Sequence, residues 1–189
     1  MGSDARGRWN RRHATGSIGS PSRFLTSLAP LLPGTGTAID VAGGTGRNAL
    51  WLAERGLDAT LVDISEVGLA TALTEASNRG LKLTTLRADL ESEPFPAGVW
   101  DVVACFHYLH RPLFPAMAEA VALDGVLLCE IATVRNLERH ERPPRRFLLD
   151  EGELGGLVTG LEQVLWEEGW TSTGRHTARL IARRSLSEG

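Results

Sequence analysis

Cysteine is scarce. The 189-residue chain holds two, Cys105 and Cys129. Each stands in an apolar run and neither forms a CxxC or Cys/His ligand spacing, which excludes a disulfide framework and a structural zinc site. Two buried thiols in a reducing compartment is the simplest account of them. Long hydrophobic runs are also missing, none approaching the roughly 18 apolar residues of a membrane span. The arginines at the start (Arg6, Arg8, Arg11, Arg12) lead into no uninterrupted signal core, so a cytoplasmic protein that spans no membrane is expected. Nor is there an excess of positive charge. Lys and Arg number 20 against 23 Asp and Glu, a formal charge of -3, which supplies no global field for gripping nucleic acid and argues against it as a partner. Internal repeats are absent. What is present is an ordinary globular balance, 42% apolar and 23% charged residues, at a length suited to one domain that needs no staple.

Residues 1–22 are rich in Gly, Ser and Arg, with only Trp9 and Ile18 as large apolar anchors, and are expected to form a flexible arm or lid on a domain spanning 23–189. Phe24, Leu25, Leu28, Ala29 and Leu32 fall at helical spacing until Pro33-Gly34 ends the helix. From Thr37 the pattern becomes one of strand and helix in alternation. Apolar strand runs are predicted at Ala38–Ala42, Ala59–Ile64, Leu83–Asp89, Asp101–Phe106 and Gly125–Ala132. Helices are predicted after the first and second strands, the second of them capped by Ser65, and again around Phe114–Ala122. Leu90–Gly98, with two prolines, is too short for a helical crossover. A helix-like segment lies near Asp150–Leu157, and the runs LEQVLWEEGW and ARLIARRS, parted by Thr171–His176, read as a closing hairpin. The fold class is α/β, a three-layer α/β/α sandwich around a mostly parallel seven-stranded sheet with a C-terminal antiparallel hairpin.

Ligands of such sheets bind outside the carboxyl ends of the strands. That rim would carry Gly43–Gly46, Asp63, Asp89 and Phe106–His110. Glycines after the first strand let the backbone approach a ligand, and the helix that follows offers free amides. No Lys-Ser/Thr pair follows them, which excludes an ATP P-loop. Gly44-Thr45-Gly46-Arg47-Asn48-Ala49 also satisfies the GxGxxA pattern, so an NAD(P)-binding oxidoreductase stays open. Asp63, 17 residues beyond Gly46, is placed to accept both hydroxyls of a ribose, or else to cap the helix beside Ser65. Asp89 is placed to accept from an exocyclic amine such as that of adenine, or else is a solvated loop acid.

The ordered set DVAGGTGRNALWLAERG, VDIS, ADLE and WDVV, closed by the hairpin, resembles the class I S-adenosylmethionine-dependent methyltransferases. RNALWLAERG and CFHYLHRPLF are similar to the tellurite-resistance type, and the similarity runs from about Trp9 to Arg184. The resemblance implies a Rossmann-like methyltransferase fold and S-adenosyl-L-methionine as cofactor. Gly44 and Gly46 would line its methionine part, with Ala42 and Gly43 in the same turn and Asp40 beneath. Asp63 with Ile64 would hold the ribose, and Asp89 with Leu90 the adenine. The chain at Cys105, Phe106 and His107 would border the amino group and the sulfonium. Two positions depart from the family: Ala42 stands where glycine is usual, and His13 takes the aromatic position of a WxxRY-like segment. An acid at Asp40 suits a sulfonium and would repel a pyrophosphate.

The acceptor implied is a small molecule, with a thiol or chalcogen oxyanion drawn from the resemblance alone. If it carries a proton, His107 or His110 is the candidate to contact it, Tyr108 packing away from the site; both histidines read equally as loop or packing residues. Glu130 would be costly if buried unpaired, so an arginine partner or a place near the acceptor is expected. The arginines of residues 135–146 read first as a solvated cover loop and second as a grip on an anionic acceptor. Arg12 or Arg47 would meet the methionine carboxylate. Trp51 and Trp166 are expected to pack and Trp9 to cover the ligand. A non-catalytic nucleotide-binding regulator remains the alternative outside the enzymes.

Overall fold

The structure, a computed structural model, describes residues 2–14 and 17–185. Met1, Thr15, Gly16 and residues 186–189, parts of the expected arm and domain, lie outside the described residues. In chain order the elements are α1 (Gly2–His13), α2 (Arg23–Ser27), β1 (Thr37–Val41), α3 (Arg47–Glu54), β2 (Asp58–Asp63), α4 (Glu66–Asn78) and β3 (Leu83–Arg87). Then follow β4 (Trp100–Phe106), α5 (Phe114–Glu119), β5 (Val121–Ala132), α6 (Glu153–Leu157), β6 (Glu162–Trp170) and β7 (His176–Arg183). The seven strands form one sheet in the order β3-β2-β1-β4-β5-β7-β6. The first five are parallel, and β7 enters antiparallel between β5 and β6. This is the Rossmann-like three-layer architecture that the alternation of elements predicts.

The central strands read as continuous apolar runs because both of their faces are covered. On one face Ile39, Val41, Val103, Cys105, Leu127 and Cys129 pack with Phe114 and Met117 of α5 and Leu154 of α6. On the other Ala38, Val102, Ala104, Phe106 and Leu128 pack with Phe24 and Leu25 of α2 and Leu52 of α3. The period of two along each strand therefore divides the core into two halves. Cys105 and Cys129 are free, buried and in register on β4 and β5. The Cys105 thiol, as hydrogen-bond partner, and then burial raise the pKa of Cys129.

Two expectations need correction. The helix predicted over Phe114–Ala122 stops at Glu119, because Val121 already pairs with Trp100 and the strand continues past an irregularity in register. Trp166 does not pack: it lies 46% exposed on the edge strand β6. Within the N-terminal segment Gly2–His13 is a helix with Asp4 in its first turn and Arg11, Arg12 and His13 in its last, charges that complement the helix dipole at both ends. It rests on α4: Asn10 Nδ2 donates to Glu66 (3.1 Å) and Ser65 Oγ donates to Asn10 Oδ1 (2.8 Å).

Glu130, 6% exposed near the end of β5, finds the arginine that its burial demands. Arg179 Nε donates to its Oε1 at 2.9 Å, and Ser22 Oγ donates to its Oε2 at 2.8 Å. Ser22 N–H in turn donates to Asn48 Oδ1 at 2.9 Å, so α2, α3, β5 and β7 meet at one buried polar junction. The Arg179 guanidinium stacks 5.1 Å from the Phe24 ring centroid. Removing the carboxylate leaves Ser22 Oγ without its acceptor and Arg179 with Glu167 as its remaining ion-pair partner. We expect Glu130→Ala to lower the unfolding free energy by about 2 kcal/mol, with Glu130→Gln losing less, as read from urea midpoints at unchanged slope.

Candidate active site

Five chain segments converge at the carboxyl edge of the parallel strands. Val41 ends β1 and the chain turns at once through Ala42 (φ +54°) and Gly44 (φ +62°), then Gly46 (φ +78°) caps α3. The glycines serve different needs. A Cβ on Gly43 would lie 2.3 Å from Asp40 Oδ2, and one on Gly46 2.8 Å from Ala72 Cβ, so these two allow close packing of the turn onto the sheet and α4. Gly44 and Ala42 instead face a cavity. Ala42 tolerates its left-handed backbone at a cost of about 1–2 kcal/mol.

Asp63 ends β2 and is 6% exposed. Gly44 N–H donates to its Oδ2 and Ser65 N–H to its Oδ1, both at 2.8 Å. One carboxylate thus ties the glycine turn to the start of α4, where Ser65 Oγ accepts from Gly68 N–H at 3.1 Å. Asp63 braces the backbone beside the cap that Ser65 makes, and each of its oxygens keeps a lone pair.

The cavity, of about 100 Å³, gathers Asp63 and Ile64 from β2 with Ala88, Asp89 and Leu90 beyond β3. Asp89 Oδ1 accepts from Glu91 N–H at 3.2 Å, a local turn that keeps its carboxylate at the cavity mouth. From the loop after β4 come His107 and Tyr108, and from α1 Trp9 and His13. His107 is in the left-handed region (φ +59°) and its N–H donates to the Glu130 carbonyl at 2.8 Å. Desolvation lowers its pKa, against an opposing pull from Glu130. Burial raises the Tyr108 pKa, so its hydroxyl stays neutral. Both residues line the cavity, and Tyr108 also packs against the apolar core as expected.

Not every candidate gathers there. Asp40 lies beneath the turn, Gly43 and Gly46 serve packing, and Cys105 and Phe106 are buried in the sheet on its two opposite faces. His110 does not line the cavity, nor does any arginine of residues 135–146. Of these, Arg135 pairs with Glu138 and Arg145 with Asp150, Arg139 lies over the Trp170 ring at 3.7 Å from its centroid, and Arg146 lies over Phe147. Ala5 was illegible as a wall residue because its helix has no apolar stripe, whereas His13 stands in the WxxRY-like segment and Glu91 closes the ADLE run.

Residues 38–123, under half of the chain, match the family model described as a methyltransferase domain. The matched residues include the glycine turn, Asp63, Asp89 and His107, while α1, α2 and the hairpin lie outside the match. A stretch of 67 residues, 34% of this chain, is 43% identical to demethylmenaquinone methyltransferase of Thermus thermophilus, covering 30% of that protein. Among solved structures the fold is similar to TehB from Haemophilus influenzae, with TM-score 0.74 and 19% identity over 95% of this chain and 66% of that one. It is also similar to magnesium protoporphyrin IX methyltransferase from Synechocystis with bound SAH, with TM-score 0.73 and 18% identity over 98% of this chain and all of that one. The chain spans under two thirds of the first two relatives.

Asp40 is the electrostatic anomaly of the matched residues. Its Oδ2 accepts from Ala49 N–H at 3.1 Å, its Oδ1 is buried without a partner among the described residues, and burial raises its pKa to about 7. That lies above the roughly 3.9 of an unfolded aspartate. The folded chain therefore holds this proton more tightly, and the stability it contributes, whole below about pH 4, is lost as the pH rises through 7. We expect urea midpoints to fall between about pH 5 and pH 8 by a margin that Asp40→Asn removes; an equal fall in the variant would contradict this.

Proposed function

We propose that the protein is an S-adenosylmethionine-dependent methyltransferase acting on a small-molecule acceptor. The observation that carries this reading is Asp63, seated where two backbone amides hold it at the cavity wall inside the matched domain. The donor set fits the cofactor. Asp63 has lone pairs for a ribose, Asp89 for an exocyclic amine, and Ile64, Ala88 and Leu90 give an apolar slot for a planar base. The unpartnered Asp40 oxygen under the turn favours a cationic ligand end and disfavours a pyrophosphate, which weighs against NAD(P).

The bound cofactor supplies an already activated methyl group, so the chain's task is alignment and exclusion of water. Asp63 and Asp89 fix the nucleoside end. Trp9, Ala5 and His13 of α1 form one wall of the cavity, and hydrogen bonds at Asn10 hold that helix to the start of α4. His107, held neutral near pH 7 by its desolvation, takes a proton from the acceptor where the acceptor bears one. His110 is the weaker candidate, lying off the cavity. A thiol or chalcogen oxyanion acceptor and a cytoplasmic setting complete the proposal; the two free buried thiols suit a reducing compartment.

Calorimetric titration with S-adenosylhomocysteine tests the reading. We expect saturable binding that Asp63→Ala weakens by about 1–3 kcal/mol in a folded variant. Tight NADH binding without affinity for S-adenosylhomocysteine would overturn it in favour of an oxidoreductase. Once an acceptor is found, His107→Ala should lower turnover more than His110→Ala does. Cofactor binding with no turnover on any thiol, chalcogen oxyanion or carboxylate acceptor would favour the regulator.

A further inference from the structure

Helix α1 brings a titratable ring to the cavity wall, and the rest of the fold makes room for it. His13 occupies a notch between two glycines: a Cβ on Gly44 would stand 3.1 Å from its Nε2, and one on Gly68 would stand 2.7 Å from its Nδ1. Gly68 is in the first turn of α4, an element in which alanine would be favoured by about 1 kcal/mol in the interior. The missing side chain is explained by what it admits, the His13 ring and the Gly44 carbonyl oxygen. The ring also lies 5.6 Å, centroid to centroid, from that of Trp9. Its Nδ1 is buried and has no hydrogen-bond partner among the described residues, so the imidazole is not placed there to hold α1 by a hydrogen bond from that atom.

Asp63 from the end of β2 and Arg12 from the same helix act on this ring, while Asp89, Glu91 and His107 line the same cavity and Glu66 of α4 meets Arg6 and Asn10 of α1. Burial, with Arg12 adding to it, favours the neutral ring, and Asp63 opposes them.

We propose that His13 is a further cofactor-site residue whose charge selects between the two forms of the cofactor, admitting the sulfonium when neutral and disfavouring it when protonated. The proposal rests on the cofactor assigned above. S-adenosylmethionine carries a carboxylate, an ammonium and a sulfonium, a net charge of about +1, whereas S-adenosylhomocysteine has no sulfonium and is neutral overall. An imidazolium beside Gly44 repels the first ligand through a partly desolvated gap and leaves the second nearly unaffected. Protonated His13 also turns towards Asp63, which weakens both ligands and so cancels in their ratio. Acidification would then favour the spent product over the donor and throttle the enzyme.

The test is the ratio of the dissociation constants of S-adenosylmethionine and S-adenosylhomocysteine, measured by calorimetry at about pH 7.5 and about pH 5. Wild type, His13→Gln and His13→Phe are compared, each checked for folding by circular dichroism. In wild type the ratio should rise about tenfold on acidification, and in both variants by several-fold less, the remainder being what Asp40 and His107 contribute as they take up protons. A wild-type ratio that stays flat, or a rise that survives undiminished in either variant, overturns the proposal. Failure of wild type to bind either ligand at the higher pH overturns the assigned cofactor instead.

Discussion

The carboxylate of Asp63 holds the site together. By accepting from Gly44 N–H and Ser65 N–H it fixes the end of β2 to the turn after β1 and to the cap of α4. Each tie is a charge-assisted bond in a nearly closed setting, where such bonds are at their strongest. The cap it supports then receives Asn10, so the position of α1 over the cavity depends on the same group. A single acid thereby links the glycine turn, the following helix and the element that covers them.

Beneath this lies a second constraint, the charge balance of the turn. Asp40 is kept from ionising freely by burial, and the helix amide at Ala49 only partly compensates. A ligand bringing positive charge to the turn would relieve that penalty, and one bringing a pyrophosphate would deepen it. The same logic explains why Gly43 carries no side chain, since the acid needs its cover close.

Much of the sheet was legible because buried parallel strands leave an unmistakable run of apolar residues, as in Val102–Phe106 and Val126–Ala132, and because Gly56 and Gly80 close their helices in positive φ. The glycine turn, Asp63 and Asp89 were legible as rim residues for the same topological reason. Helix α1 was not. Its residues lack an apolar period, and it is held by polar contacts to α4 that only the tertiary structure creates. Trp166 misled because an edge strand can present a large ring to solvent, and His110 because three residues of loop suffice to carry a side chain away from the cavity that His107 lines.

The most direct measurement is a crystal structure of the protein grown with S-adenosylhomocysteine. The account predicts the ribose hydroxyls on the Asp63 carboxylate, the adenine between Ile64 and Leu90 with its amine towards Asp89, and the amino-acid end over Gly44. Ligand density at any other place, or a Gly44–Asp63 contact absent from the complex with the ribose elsewhere, would contradict it.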